Sequence, residues 1–297
     1  MLEKLEFLLA LAREKHFGRA AEACGVTQPT LSAGVKQIED AFGVLLVNRG
    51  SRFRGFTAEG ERVLEWARRI VGDARAMREE VLALKHGLAG RLRLAAVPTA
   101  LPMVETLTTP FRARHPNVQF TVLTRTSTEV LHLLDNLEVD AGLTYLNNDL
   151  SGRVSAVPLY RESYRLLVAA DGPLGHRDQV TWFDVAQVPL CLLTPDMQNR
   201  RIIDQYLRET GVEPTITLES DSMIVLYSHV RTGRWASVMP SRVAAMLGLT
   251  DVLRAIPIVG ADTSYTIGLV APAREPMMPL TAALVAEARR VAVLLAD

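Results

Sequence analysis

At 297 residues the chain has room for one to three domains, and its 48% hydrophobic and 22% charged residues are the make-up of an ordinary soluble globular protein. With 33 basic and 33 acidic side chains the formal charge is zero, which excludes nucleic-acid binding by bulk charge and leaves only a local basic patch for that role. No apolar run approaches the roughly 20 residues that span a bilayer, and Met1-Leu2-Glu3-Lys4-Leu5-Glu6 carries acids where a secretion signal is basic, so a cytoplasmic protein with no membrane role is expected.

Residues 2 to 14 set Leu5, Leu8, Leu9 and Ala12 on one face, at the three- and four-residue spacing of an amphipathic helix. A second short helix starts at Gly18 and runs through Ala20, Ala21 and Ala23 to Gly25, a residue suited to a helix end. Thr27 is placed to cap a third helix. Pro29 falls near its first position, where a missing N–H costs little, and Leu31, Val35 and Ile38 form its buried stripe as far as Phe42. Helix, short helix, glycine turn, helix is the order of a helix-turn-helix. Leu45 to Thr57 then reads as a hairpin whose tip is rich in glycine and arginine, a wing.

Thr57 opens a long helix reaching Leu88. Its capping box is incomplete, because position 60 is Gly rather than Glu. Leu64, Ala67, Val71, Ala74, Val81, Leu84 and Leu88 recur along it at threes, fours and one seven. That seam suits the pairing of two helices; the alternative is packing on its own domain. Gly87, Ala89 and Gly90 form a linker. From Arg91 the texture changes to alternating strands and helices, which predicts parallel sheets. Strands fall at 91–97, 118–124, 141–144, 165–169, 190–193, 236–239 and 266–271. Helices fall at 100–115, 127–137, 200–210, 222–231 and 280–295.

The outer side of the third helix carries Thr27, Gln28, Thr30, Ser32 and Lys36, with Pro29 among them. Amides and hydroxyls read base edges or bond phosphates, and a lysine neutralises a phosphate. Arg49, Arg52 and Arg54 lie in the wing with no acid between them, placed for phosphates or the minor groove. Enzyme chemistry lacks its signatures: there is no phosphate loop, no H-E-x-x-H and no serine elbow. The six histidines are scattered, and Cys24 and Cys191 are far apart. No catalytic residue, metal ligand or cofactor is expected. The two thiols read as packed; a redox switch at Cys191 is the alternative.

The run Phe17-Gly18-Arg19-Ala20-Ala21 through Gly25-Val26-Thr27-Gln28-Pro29-Thr30-Leu31-Ser32 to Gln37-Ile38-Glu39 closely resembles the DNA-binding signature of the LysR family of transcriptional regulators. Phe42-Gly43-Val44-Leu45-Leu46-Val47-Asn48-Arg49 and Phe56-Thr57-Ala58-Glu59-Gly60 resemble that family's wing and linker-helix start, and the likeness extends over essentially the whole chain. Ala33-Gly34 and Val47-Asn48 depart from the family pattern and point to an altered operator preference. Arg234-Trp235 departs too and points to a reshaped rear wall of the ligand cleft.

The resemblance implies an α/β protein with an all-helical start. A winged helix-turn-helix spans 1–57 and a linker and dimerisation helix 58–90. A two-lobed effector domain like the periplasmic binding proteins spans 91–297, with lobe I at 91–162 and 267–297 and lobe II at 163–266. It also implies an effector cleft at three helix starts: Pro98, Thr99 and Ala100; Thr126, Ser127 and Thr128; and Met197, Asn199 and Arg200. Converging helix N-termini with hydroxyls favour a small carboxylate or other oxyanion. The segment Gly233 to Pro240 resembles regulators associated with formate dehydrogenase operons, which makes formate a candidate. The implied partners are promoter DNA, the effector, further copies of the chain as dimer and tetramer, and RNA polymerase. The alternatives are a solute sensor without a DNA role and a thiol-based redox regulator.

Overall fold

The computed structural model describes residues 1–48, 53–146, 154–247, 251–260 and 265–296. The chain divides into two compact units: Met1–Leu88 with the short segments Asp135–Glu138 and Arg274–Leu280, and the remainder from Ala89 onward.

The first unit is built on helices α1 (Leu2–Glu14), α2 (Phe17–Ala23), α3 (Gln28–Phe42) and α4 (Ala58–His86). Leu8, Leu11, Leu31, Val35, Ile38, Leu64, Ala67 and Val71 meet in its core, each essentially inaccessible. A leucine or isoleucine buried this fully contributes about 1.5–3 kcal/mol. Glycines with left-handed backbone, Gly25 and Gly43, end α2's turn and α3. Thr27 caps α3 as expected, its hydroxyl accepting from the Thr30 N–H.

Val47 pairs with Phe56 antiparallel, and the Asn48 N–H donates to the Gly55 carbonyl at 3.0 Å. These bonds form the base of the expected wing. Its tip, with Arg49 and Arg52, lies outside the described residues. The incomplete capping box has a packing cause. A Cβ at Gly60 would lie 2.1 Å from the Leu46 carbonyl oxygen, so only glycine fits where the wing crosses the first turn of α4. Thr57 still caps that helix through the Gly60 N–H at 3.0 Å.

The seam read along α4 splits in two. Leu64, Ala67 and Val71 pack on their own domain. Val81 and Leu84 are exposed, Leu84 by 85%, and so are Ile70 and Met77, which the seam did not include. The segment 135–138 adds Leu137 to this unit's core, and the Arg68 guanidinium donates to Asn136 Oδ1 at 3.1 Å. Arg274 lies against Gly72 and donates to the Arg68 carbonyl.

In the second unit the chain runs β1 (Gly90–Ala96), a 3-10 turn at Pro98–Ala100, α5 (Leu101–Arg114), β2 (Val118–Thr124), α6 (Ser127–Asp135) and β3 (Ala141–Tyr145). After β4 (Val154–Glu162) it enters a second lobe: β5 (Tyr164–Ala169), β6 (Val180–Thr181), α7 (Trp182–Ala186), β7 (Leu190–Leu193), α8 (Gln198–Glu209), β8 (Ile216–Ser220), α9 (Met223–Val230), β9 (Ser237–Pro240), α10 (Ser241–Met246) and β10 (Leu253–Val259). It returns through β11 (Tyr265–Pro272) and ends in α11 (Pro279–Ala296).

The first lobe holds a five-stranded sheet in the order β2-β1-β3-β11-β4; the second holds β6-β10-β5-β9 and a β7-β8 pair. The expectation of parallel sheets needs correction. β1 runs parallel to β2 and β3, but β11 is antiparallel to β3 and β4, and β5 is antiparallel to β9 and β10. β4 leaves the sheet and β11 re-enters beside it from the same end, so those two neighbours run antiparallel. β11 rejoins the first sheet from Tyr265.

Gly60→Ala is expected to destabilise the protein by about 1–3 kcal/mol through the clash at the Leu46 carbonyl, read as a lower urea midpoint. An unchanged midpoint would show that the wing yields freely there.

Candidate functional site

Thr27, Gln28, Pro29, Thr30 and Lys36 are exposed along one side of α3, and Ser32 is half-buried at its edge. The Thr27 and Thr30 hydroxyls lie 2.8 Å apart and engage each other, which leaves Gln28 as the uncommitted polar group at the helix start. Arg54 is exposed in the wing.

Gly34 does not belong to this surface. It is buried, and a Cβ there would meet the Phe7 ring at 2.6 Å. The departure at that position sets how closely α1 and α3 pack, not operator preference. At the other departure, Val47 is buried and the Asn48 amide donates to the Phe56 carbonyl, fastening the wing.

Two supporting residues are invisible to pattern reading. Glu39 is buried on α3, and its Oε1 accepts from the Leu46 and Val47 N–H groups at 3.0 and 3.3 Å, tying the recognition helix to the wing. His16 caps α2, its Nδ1 accepting from the Gly18 and Arg19 N–H groups. A short run before a helix with neither Ser, Thr, Asp nor Asn hides such a cap.

In the second unit, Pro98, Thr126 and Met197, one from each expected segment, line a cavity of about 620 Å³. Thr99, Ala100, Ser127 and Asn199 are buried without forming its wall, and Thr128 is exposed. Arg200 is not free for a ligand. Its guanidinium donates to Asp204 at 2.7 Å, Glu219 at 2.6 Å and the Leu193 carbonyl at 2.7 Å. The apolar wall comes from Leu101, Met223, Ile224, Val243 and Met246. The charged wall is Glu129, Asp196 and Asp221 against Arg125 alone. Three carboxylates facing one guanidinium oppose the expected small oxyanion. Trp235 is not a wall of this cavity; its indole N–H donates to the Thr217 hydroxyl and its ring meets His229 edge-on.

A polar cluster is sealed at the point where β4 hands over to β5. The Tyr145 hydroxyl donates to Glu162 Oε2 at 2.5 Å, the Tyr164 hydroxyl to the same oxygen at 3.2 Å, and Thr99 reaches Tyr145 at 3.1 Å. Burial pushes the Glu162 carboxyl up to about 7, although these hydroxyls hold it lower than burial alone would. Burial likewise raises Tyr145 and Tyr164. Among the described residues, Glu162 Oε1 and both amide atoms of Asn199 have no hydrogen-bond partner within bonding geometry. Among the described residues no group of three or more His, Cys, Asp or Glu side chains is placed to hold a metal ion. No helix among them is long and apolar enough to cross a membrane.

Residues 2–61 match the bacterial regulatory helix-turn-helix domain of the lysR family, and residues 85–293 match the LysR substrate binding domain. A hydrogen peroxide-inducible genes activator of Dickeya chrysanthemi is 26% identical over 270 residues, covering 91% of this chain and 88% of that protein. A probable nitrogen assimilation transcriptional activator of Synechococcus elongatus is 28% identical over 286 residues, covering 94% and 91%. Among solved structures, a cysteine-to-aspartate variant of full-length OxyR from Pseudomonas aeruginosa is 27% identical, with a TM-score of 0.77, covering 98% of this chain and 99% of that one. All are regulators; none is an enzyme.

Neither thiol of the chain is set up for nucleophilic chemistry. Cys191 is buried within β7, its S–H points at the Leu226 carbonyl at 3.7 Å, and burial raises it to about 11. At neutral pH only about one such thiol in ten thousand is a thiolate. Cys24 lies in the other unit and is raised by burial as well. In a Cys24→Ser variant, Ellman's reagent should find no reactive thiol until denaturant is added. Rapid labelling of the native variant would mean that Cys191 is accessible and ionised after all.

Proposed function

We propose that this chain, which belongs to the LysR family of bacterial transcriptional regulators, binds promoter DNA in the cytoplasm as a dimer and tetramer and answers to a small effector held between its two effector-domain lobes. The observation that carries the DNA reading is the exposed row on α3, with Arg54 exposed in the wing segment that follows. The start of α3 enters the major groove, Gln28 reads a base edge with Thr27 and Thr30 beside it, and Lys36 meets a phosphate. Arg54, with Arg49 and Arg52, neutralises the backbone.

Pairing falls to α4. Ile70, Ala74, Met77, Val81 and Leu84 on it, and Leu88 just past its end, recur at alternating fours and threes, the a/d pattern of a coiled coil, and Ile70, Met77, Val81 and Leu84 are exposed in the single chain. RNA polymerase is the partner through which altered DNA geometry is read out.

For the effector, the 620 Å³ cavity is apolar with an acid-rich rim. It suits an amphipathic molecule whose polar end is neutral or cationic. Formate is too small to fill it and of the wrong sign. The relatives do not decide the matter: two at nearly equal identity are named for hydrogen peroxide and for nitrogen assimilation. The peroxide reading needs a reactive thiol, and the burial of Cys191 weighs against it.

Two measurements test this. On the intergenic region upstream of its own gene, at fixed salt, Gln28→Ala should lose about 1–3 kcal/mol of preference over unrelated DNA. Arg54→Ala should weaken both kinds of DNA alike and lower the salt slope by about one. Full sequence preference in Gln28→Ala would remove α3 as the reader. In sedimentation, Val81→Asp with Leu84→Asp should turn the dimer into monomer without loss of helical signal; an unchanged dimer would place the interface elsewhere.

A further inference from the structure

A second cavity, of about 560 Å³, opens where β4 passes into β5, against α10 and β10. Its electrostatics are the reverse of the effector cavity's. Arg161, Arg165 and Arg242 line it, and none of them pairs with a described carboxylate. Arg165 donates one N–H to the Ala255 carbonyl at 3.1 Å, and the Arg242 guanidinium lies 4.5 Å over the Tyr160 ring. Both are thereby held in place with most of their N–H groups uncommitted. The Ser163 and Ser241 hydroxyls, 2.8 Å apart, add donors at the wall.

Two further lining residues carry buried polar atoms that no described residue satisfies: the Tyr160 hydroxyl and Glu162 Oε1. An unmet buried polar atom costs about 1–3 kcal/mol, which a ligand can recover. We propose that this cavity is a second ligand site, taking a small oxyanion gripped by Arg161, Arg165 and Arg242 with the Tyr160 hydroxyl as an added donor.

The one carboxyl at the site is shielded. Glu162 is faced by Tyr145 from β3, Tyr160 from its own strand, Tyr164 from β5 and Thr99 from the turn after β1, while Arg242 on α10 faces Tyr160. Kept protonated, it does not repel an anion. As pH rises through about 7 it ionises, and the anion should be bound more weakly.

The short helix α10 stands between the two cavities. Val243, Met246 and Leu247 face the effector, while Ser241, Arg242, Ala244 and Ala245 face the anion. α10 thus contributes side chains to both cavities.

The test is calorimetric titration of the full-length protein with sodium sulfate and, separately, sodium propanoate, at about pH 6 and about pH 8, with chloride balancing ionic strength. Heat from sulfate alone assigns the site to tetrahedral inorganic anions; heat from propanoate alone assigns it to carboxylates; both support the site. The affinity should fall at least about fivefold at the higher pH in the wild type and stay level in Glu162→Gln. Arg165→Gln with Arg242→Gln should lose about tenfold or more, while Asp221→Asn in the effector cavity leaves anion binding intact. If the double variant misfolds, Arg161→Gln, an exposed change, should still weaken binding several-fold. No binding of either anion by the wild type at the lower pH, or undiminished binding by the folded arginine variants, overturns the proposal. Operator binding by α3 is measured independently and does not depend on the outcome.

Discussion

The effector domain depends on its chain crossing between lobes twice at one place. β4 carries it out at Glu162 and β11 brings it back at Tyr265, and these two residues are direct partners across the antiparallel β4–β11 pair. Two adjacent strands thus form the joint, and the rest of the domain is arranged around it. The return strand must run backward through an otherwise parallel sheet. Glu162 and Tyr164 at the joint are buried, while Arg161 and Ser163 beside them are exposed. A carboxyl placed there keeps its proton near neutrality and is held by tyrosine hydroxyls rather than by a cation. Thr99 reaches this cluster from the first lobe, and Tyr164 reaches it from the second.

The same joint divides the ligand chemistry. One cavity gathers Glu129, Asp196 and Asp221, and another gathers three arginines, with only a six-residue helix shared between them. Converging helix starts alone favour an anion, but helix dipoles are partial charges acting over one turn. Whole carboxylates on the rim outweigh them. The sequence reading placed Arg200 in the ligand cleft, yet its guanidinium is consumed inside lobe II by Asp204, Glu219 and Leu193.

Local signals made the first unit legible. The Thr27 cap, Pro29, the terminal glycines and the Leu31-Val35-Ile38 stripe act within a few residues of one another, so the helix-turn-helix can be written down from them. The roles of Gly34 and Gly60 are not local. Each exists because a distant group, the Phe7 ring or the Leu46 carbonyl, lies 2.6 or 2.1 Å from where a Cβ would stand, too close for any side chain. β4, β8, β10 and α10 escaped notice for related reasons. β4 holds Pro158, β8 is a half-exposed edge strand, and α10 has six residues, too few for periodicity. The charge of each cavity is beyond any single segment, because Asp196 and Asp221 become neighbours only after β7 and β8 pair.

The exposed half of α4 has a further consequence. Leu84, Val81 and Met77 present apolar surface that a lone chain leaves in water, so the paired form is favoured only when copies are abundant enough to meet. If the dimer is the form that binds DNA, operator occupancy at low copy number scales with the square of that number rather than in proportion to it. A twofold change in expression becomes about a fourfold change in occupied operators. The protein's own abundance thus acts as a signal alongside whatever its cavities bind.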